Sequence, residues 1–102
     1  MTDNRALSLI SISAKAGKAA SGETAVLDAI RSGKARLVII AADASEGTAD
    51  RMIDKCSYYG VRYLRYSDKE TLGRSLGKSE RSSAAILDDG LADALFDRVQ
   101  GR

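Results

Sequence analysis

Histidine, proline and tryptophan are absent from the 102 residues of this chain, and cysteine occurs once. Without histidine, the chain cannot build a Ser-His-Asp or Cys-His catalytic centre, or a metal site that uses histidine ligands. A single cysteine, Cys56, forms no internal disulfide and no structural zinc site, which is typical of a reducing cytoplasm. No run of 18 apolar residues and no signal-peptide pattern is present, so we expect a cytoplasmic protein without a membrane partner.

The composition is that of a folded globular domain. Apolar residues make up 44 % of the chain and charged residues 29 %. The chain is long enough for one hydrophobic core and contains no linker or repeat, so we predict a single domain over residues 1–102. The 16 lysines and arginines exceed the 14 acidic residues only slightly, which gives a net charge of +2.

Helix and strand patterns alternate along the chain. Five segments have apolar residues at helical spacing, and glycines are the predicted ends of four of them: Gly17, Gly33, Gly60 and Gly77. Strands are predicted between the helices, at 19–20, 37–42, 61–66 and 84–87. The predicted helix N-caps are Ser21, Ser45, Ser67 with Glu70 in a capping box, and the pair Asp88 and Asp89.

The strand 37–42 is apolar without alternation, which is typical of a central strand covered on both faces. The order α-β-α-β-α-β-α-β-α predicts an α/β fold, specifically a three-layer α/β/α sandwich with a four-stranded mixed sheet.

Two motifs suggest enzymes, and neither fits its context. Residues 73–77 spell the G-x-S-x-G of a hydrolase nucleophile elbow, but Ser75 lies in a predicted helix and has no histidine base. The sequence Gly77-Lys78-Ser79 resembles the end of a phosphate-binding loop, yet Gly73 is one residue too close and a strand follows where a helix is needed. We therefore predict no catalytic residues, no small-molecule substrate and no cofactor.

The remaining candidates favour structural roles. Cys56 has apolar neighbours at helical spacing, which predicts a small core residue. Four carboxylates, those of Asp43, Glu46, Asp50 and Asp54, could suggest a metal. Their spacing fits no calcium loop, so we interpret them as a helix cap and a solvated face, with no metal site.

The charges are unevenly distributed. Residues 1–36 hold six cations against three anions, residues 37–66 are neutral, and residues 67–81 hold four cations against three anions. Residues 82–102 hold two cations against four anions. A basic surplus in the first two helices and the 77–81 loop can attract a phosphate backbone, although chance variation of a solvated surface explains it equally well.

Several segments resemble one known family. Residues 17–23 read GKAASGE and residues 30–45 read IRSGKARLVIIAADAS, and further likeness lies in KCSYYGV at 55–61 and GKSER at 77–81. These segments resemble the ribosomal protein superfamily of the archaeal L7Ae and eukaryotic L30e kinds, whose members bind kink-turn RNA. The likeness is greatest to the small bacterial members of the YlxQ type and covers nearly the whole chain.

The resemblance implies a non-enzymatic RNA-binding protein associated with ribosomes or translation. Its partner is then structured RNA such as ribosomal RNA, and the ribosome or translation factors are further candidates. In the family, the RNA site joins the entry to the second helix with the loop before the last strand. Carried over by position, this implies an RNA site made of Gly22, Glu23 and Thr24 at the helix entry, Lys78, Ser79, Glu80 and Arg81 in the loop, and Lys15, Lys18, Arg31, Lys34 and Arg36 as phosphate contacts.

Three positions depart from the family's pattern. Thr24 stands where Asn or Lys is usual, Ala25 where Glu or Gln is usual, and Asp28 where Lys is usual. Ala25 cannot form a hydrogen bond to a base edge, and Asp28 places a negative charge toward phosphate. These departures favour the alternative hypothesis, a protein-interaction module of the same fold that has lost its specific RNA contacts.

Overall fold

The computed structural model describes residues 4–100 and contains five helices and four strands within that range. The predicted order of helices and strands is confirmed. In chain order the elements are α1 Asn4–Lys15, β1 Ala19–Ser21, α2 Glu23–Arg31, β2 Leu37–Ile40, α3 Glu46–Tyr59, β3 Tyr63–Arg65, α4 Lys69–Ser75, β4 Ser83–Ile86 and α5 Asp89–Gln100.

The four strands form one mixed sheet in the order β1-β4-β2-β3. The strand β2 pairs in parallel with β3, and β4 runs antiparallel to both of its neighbours. One row across the sheet joins Ala20, Ala85, Val38 and Tyr63. The strands β1, β2 and β3 therefore all point in one direction, and only β4 returns.

This topology gives the domain two distinct ends. The strands β1, β2 and β3 end at one end of the sheet, where β4 begins, and the helices α2, α3 and α4 start there. We call it the entry end; it is marked by Gly22, Ser45, Asp68 and Ser82. At the opposite end of the sheet, α1, α2 and α3 end and α5 begins. We call it the far end; it is marked by Gly17, Gly33, Gly60 and Asp88.

Helices cover both faces of the sheet. The helix α1 packs against α4 and α5, whereas α2 packs against α3, which gives the predicted three layers. Every residue of β2 and β4 is buried, as expected for central strands. The largest fully buried side chains come from all layers and include Ile10, Ile30, Ile39, Met52 and Leu95. Burial of each such side chain stabilises the fold by roughly 1.5–3 kcal/mol.

Two of the predicted N-caps are wrong. Ser21 lies in β1 and pairs with Ala84, and the cap of α2 is Gly22. At α4 the cap is Asp68, whose carboxylate accepts the backbone N–H of Thr71 at 2.7 Å. Ser67 cannot serve, because its backbone has φ 65° and its carbonyl accepts a hydrogen bond from Ala42 at 2.8 Å. The predicted caps Ser45 and Asp88 are confirmed.

The strands differ in length from the prediction. The strand β2 stops at Ile40 because Ala44 donates to the carbonyl of Ala41, which turns the chain. The strand β3 spans three residues instead of six, since the Val61 N–H still caps α3 through the Cys56 carbonyl at 2.8 Å. In α5, Ala92 and Leu95 are buried, but Leu91 and Val99 are only partly so.

Cys56 is a core residue, as predicted. Its side chain is fully buried on α3, and burial raises the pKa of the thiol to about 11. Of the helices between residues 4 and 100, none has the length and apolar character that a membrane crossing requires.

Candidate functional site

The entry to α2 is a helix N-terminus without a side-chain cap. Gly22 occupies the cap position with φ 92°, a backbone conformation that favours glycine, and it has no side chain to accept a first-turn N–H. The helical hydrogen bonds begin with Val26, which donates to the Gly22 carbonyl at 3.0 Å. The N–H groups of Glu23, Thr24 and Ala25 therefore precede the helical ladder, and this positive end of the helix dipole suits an anionic or acceptor group.

A salt bridge flanks this entry. The Nε atom of Arg51 on α3 donates to the Oε2 atom of Glu23 at 2.7 Å. This hydrogen bond lowers the pKa of the Glu23 carboxyl group and raises the pKa of the Arg51 guanidinium. Both side chains are exposed, so the pair is open to a ligand. The Glu23 carboxylate, which the resemblance assigns to the RNA site, is thus already paired with the Arg51 guanidinium in the free protein.

The second part of the predicted site, the loop 78–81, lies against α4. Lys78 donates its backbone N–H to the Gly73 carbonyl at 2.8 Å, and Arg81 donates its own to the Lys69 carbonyl at 3.1 Å. The loop therefore runs back along the helix toward the entry end. Gly73 permits this contact, because a Cβ atom at that position would overlap the carbonyl oxygen of Ser79 and lie 2.6 Å from its carbonyl carbon.

Arg81 holds the loop in shape. Its Nη1 atom donates to the Glu80 carbonyl at 2.8 Å and to the Ser79 hydroxyl at 3.0 Å. The guanidinium thus contacts its own loop, while Lys78, Ser79 and Glu80 are exposed. We infer that Arg81 orders the loop in the free protein.

Sheet pairing brings the helix entry and the loop together. The Gly22 N–H donates to the carbonyl of Ser83, the first residue of β4, at 3.3 Å. The preceding residue, Ser82, accepts a hydrogen bond from Ala41 at 2.8 Å. The predicted residues at the helix entry and the Arg81 end of the loop therefore share the entry end. Lys78 lies farther from the entry end, beside the C-terminal part of α4.

The structure shows where the basic surplus lies. Lys18, Arg31, Lys34 and Arg36 all lie at the far end: α2 descends about 13 Å from the entry to Arg31, at 1.5 Å for each of its nine residues, and Lys18 and Arg36 precede the strands β1 and β2. Lys15 lies apart from them, in a groove beside Arg74 and Gly77. Cations are found at these helix ends because the helix dipole favours a positive charge in the last turn, as at Lys15, Arg31 and Arg74. Whether these cations contact RNA stays a prediction.

The enzyme-like motif has a structural explanation. The Ser75 hydroxyl donates to the Thr71 carbonyl at 3.0 Å, which occupies it within its own helix. Its two glycines serve the loop: Gly73 permits the close contact and Gly77, with φ 74°, ends α4. Asp43 accepts the Lys69 N–H at 2.8 Å, and no group of three potential metal ligands occurs in the described part of the chain.

Arg51 is the residue that sequence reasoning missed. It belongs to no motif, and its place beside Glu23, 28 residues earlier in the chain, depends on the packing of α2 against α3. The apolar spacing of α3 predicted a helix, but it did not show which side chains of α2 and α3 meet.

Comparison with known proteins agrees with this architecture. Residues 4–96 match the ribosomal protein L7Ae/L30e/S12e/Gadd45 family. The chain is similar to the RNA-binding protein YlxQ of Bacillus subtilis, with 41 % identity over 86 % of this chain and 88 % of that protein. It is also similar to the large ribosomal subunit protein eL8 of Cenarchaeum symbiosum, with 35 % identity over 94 % and 77 % of the two chains.

A solved structure supports the same relationship. The 15.5-kDa RNA-binding protein of Giardia lamblia superposes with a TM-score of 0.80 and 31 % identity, covering 93 % of this chain and 82 % of that one. The shared part therefore includes most of the fold.

Proposed function

This chain belongs to the ribosomal protein L7Ae/L30e/S12e/Gadd45 family, and on that premise we propose that it is a non-enzymatic, cytoplasmic protein that binds structured RNA. The observation that carries the proposal is the uncapped first turn of α2, which lies beside a preformed loop at the entry end. Relatives named as RNA-binding proteins support it.

We propose a kink-turn or a similarly bent RNA as the ligand. The first-turn N–H groups of α2 would bind acceptor atoms of base edges or backbone, while Thr24 adds a hydroxyl. The loop would lie across the bend, with Ser79 and Glu80 exposed toward it. Arg51 and Lys78 would contact phosphates. Because few free cations lie at the entry end, recognition depends on RNA shape more than on charge.

We propose that the bent RNA is part of ribosomal RNA. Association of the protein with the ribosome or with translation follows from that ligand. The similarity to an eL8 protein named for the large ribosomal subunit supports this assignment. The basic surplus of the whole chain is small, at +2, so non-specific binding to RNA is expected to be weak.

A titration tests the proposal. A labelled kink-turn RNA without single-stranded ends, and an unbent duplex of the same composition, are titrated at several salt concentrations. We expect submicromolar binding of the kink-turn alone. Lys78→Ala should weaken it about fivefold and reduce the salt dependence by about one charge. The matched control is Lys55→Ala near the end of α3, which should leave this binding unchanged. Equal affinity for the two RNAs would contradict the proposal.

One observation favours the protein-interaction hypothesis as a second candidate. Ala25 and Asp28 line a shallow groove of about 390 Å³ along the edge strand β1, whose other walls include Ala20, Ala29 and Leu87. An apolar groove beside an edge strand suits an extended peptide more than a phosphate backbone. Absence of kink-turn binding in the titration above, together with peptide binding in this groove, would favour it.

A further inference from the structure

We propose that the groove between α1 and α4 is a docking site for a partner protein, and that it binds an acidic amphipathic helix of that partner. We call it the α1 groove and define it by the lining residues that carry the argument: Leu7, Ser11, Ile12, Lys15, Arg74 and Gly77. The inference goes beyond RNA binding, because the groove lies on the α1 layer and not at the entry to α2.

Two adjoining concavities form the groove. One has a volume of about 340 Å³ and lies between the last turns of α1 and α4, where Ser11, Lys15 and Arg74 line it. The other has a volume of about 510 Å³ and follows the surface of α1 from Asn4 to Lys15. Ser11 and Lys15 line both, so the two concavities are continuous. The Ser11 hydroxyl donates to the Ser75 carbonyl at 2.8 Å, which joins the two helices inside the groove.

The groove contains apolar surface that no part of the described chain covers. Ile12 is 51 % exposed, whereas the other large apolar side chains exposed between residues 4 and 100 are tyrosines. Leu7 lines the same concavity and is only partly buried. Ser8 and Ser11 lie beside them, and such small side chains let a second helix approach closely. A partner that covers Ile12 therefore removes apolar surface from water.

Cations surround this apolar surface. Residues 4–15 and 69–79, which contain both walls, hold five cations against one anion, in a chain whose net charge is only +2. Lys15 lines both concavities and forms no ion pair within residues 4–100. Arg74 pairs with Glu70 at 3.1 Å, but both side chains are at least 70 % exposed, and a carboxylate of a partner can compete with such a pair. The charge of the groove therefore selects an acidic occupant.

An acidic helix fits the groove better than RNA does. Neither wall contains an aromatic residue, so unpaired bases find no ring to stack on, and a phosphate backbone gains nothing by covering Ile12. Both walls are helices without a sheet edge, so an extended peptide would lack backbone partners, whereas a helix satisfies its own backbone groups.

The length of α1 sets the length of the partner helix. With 12 residues, α1 extends for about 18 Å, which matches a partner helix of about three turns. One apolar stripe of that helix would cover Ile12 and Leu7, and carboxylates beside the stripe would reach Lys15 and Arg74.

NMR titration with designed peptides tests the groove. Three helical peptides of about 14 residues share one leucine face and carry Glu, Gln or Lys at the flanking positions, and each is added to the isotope-labelled full chain. We expect the Glu peptide to shift the amide signals of residues 7–15 and 74–78. Because it forms two exposed ion pairs, it should bind about tenfold more tightly than the Gln peptide. The Lys peptide should not bind.

Substitutions test the charge and the apolar surface separately. Lys15→Gln should weaken binding of the Glu peptide about threefold and leave that of the Gln peptide unchanged, with Lys55→Gln near the end of α3 as the matched control. Ile12→Ala should weaken binding of both peptides about fivefold, without a change in kink-turn affinity. Its control is Tyr58→Ala, which truncates an exposed side chain on the other face of the sheet and should affect neither peptide.

Several outcomes would overturn this inference: equal affinity for the Glu and Lys peptides, shifts confined to residues outside both walls, no shifts with any peptide, or equal effects of Ile12→Ala and Tyr58→Ala. Shifts of the wall residues by oligouridine would assign the cations to RNA, and shifts on dilution of the protein alone would assign the groove to a second copy of this chain. Either result would also overturn it. Failure of kink-turn binding refutes only the proposed function, and failure of peptide binding refutes only this inference.

Discussion

The two ends of the sheet differ in how they hold their cations. At the entry end, Arg51 is bound to Glu23, Arg65 donates to the carbonyls of Ala41 and Ala42, and Arg81 donates to its own loop. At the far end, Arg36 pairs with Asp89 at 3.3 Å and Arg62 with Asp93 at 2.8 Å, while Lys34 and Lys55 form no ion pair among the described residues. The entry-end arginines therefore hold the helix entry and the loop in a fixed shape, whereas the far-end arginines pair with acids of α5. In the proposed function, the entry end recognises folded RNA by that shape.

The largest effect is expected from Gly73→Ala, which displaces the loop 78–81 from α4. Alanine normally stabilises a helix relative to glycine, but here its Cβ atom would overlap the Ser79 carbonyl oxygen. We expect a destabilisation of about 1–3 kcal/mol from overpacking. Displacement of the loop should also weaken kink-turn binding more than tenfold. Thermal unfolding and fluorescence anisotropy measure the two effects.

Gly47→Ala is the matched control for that experiment. Gly47 lies in the first turn of α3, and an added Cβ atom there would contact only Arg51 Nη1 at 3.9 Å. Its RNA affinity should match that of the parent protein, and its stability should equal or exceed that of the parent, because alanine favours a helix over glycine. A Gly73→Ala variant as stable as Gly47→Ala would show that the contact between loop and helix does not shape the entry end.

A smaller effect is expected from the charge pair at the entry. Arg51→Gln should weaken kink-turn binding about fivefold, with a salt slope lower by about one. Glu23→Gln frees the guanidinium and should preserve or increase affinity. Arg62→Gln is the control, because it removes a similar ion pair, with Asp93 at 2.8 Å, from the far end. Equal losses of kink-turn affinity in Arg51→Gln and Arg62→Gln would show that a cation at the entry end contributes no more to RNA binding than one at the far end.

The smallest expected effect is a pH dependence at α4. The backbone N–H and the hydroxyl of Thr71 donate to Asp68 and lower the pKa of its carboxyl group. A carboxyl group whose pKa is lowered by folding stabilises the protein above its ordinary pKa of about 4, and this contribution is lost as the pH falls through the lowered value. Asp68→Asn should therefore reduce the loss of stability below pH 4.

Urea unfolding at neutral and acidic pH measures this effect. Asp50→Asn, on the exposed surface of α3, serves as the control and should leave the pH dependence unchanged. If Asp68→Asn and the parent protein lose stability equally on acidification, the cap does not set the acid sensitivity of the entry end.

Local sequence signals predict the fold well. Helical periodicity and the glycines at the helix ends give the order of the nine elements, and the apolar run 37–42 gives the buried central strand. The N-caps at Ser21 and Ser67 failed because a serine next to a helix can equally well end a strand or turn the chain. Such choices depend on the pairing of Ser21 with Ala84 and of Ala42 with Ser67, which are contacts distant in sequence.

The candidate site is less predictable. The resemblance assigns Gly22 and the loop 78–81 by position, and the structure brings Gly22 and the Arg81 end of the loop to one end of the sheet. Summing charge along the chain located a basic surplus in the first two helices, but it did not show that Arg31, Lys34 and Arg36 lie away from the helix entry, because a helix carries its last turn away from its first. The role of Arg51 depends on helix packing, which no local pattern specifies.

The contact between Gly73 and Ser79 separates two kinds of information in the loop. The contact places the backbone of Ser79 where a Cβ atom on residue 73 would lie, so one glycine specifies where the loop lies. Of the exposed side chains of residues 78–80, only that of Ser79 takes part, because its hydroxyl accepts a hydrogen bond from Arg81. Lys78 and Glu80 can therefore change in evolution or in design without altering the path of the chain. A library randomised at residues 78 and 80 should keep its fold while its preference among bent RNAs diverges.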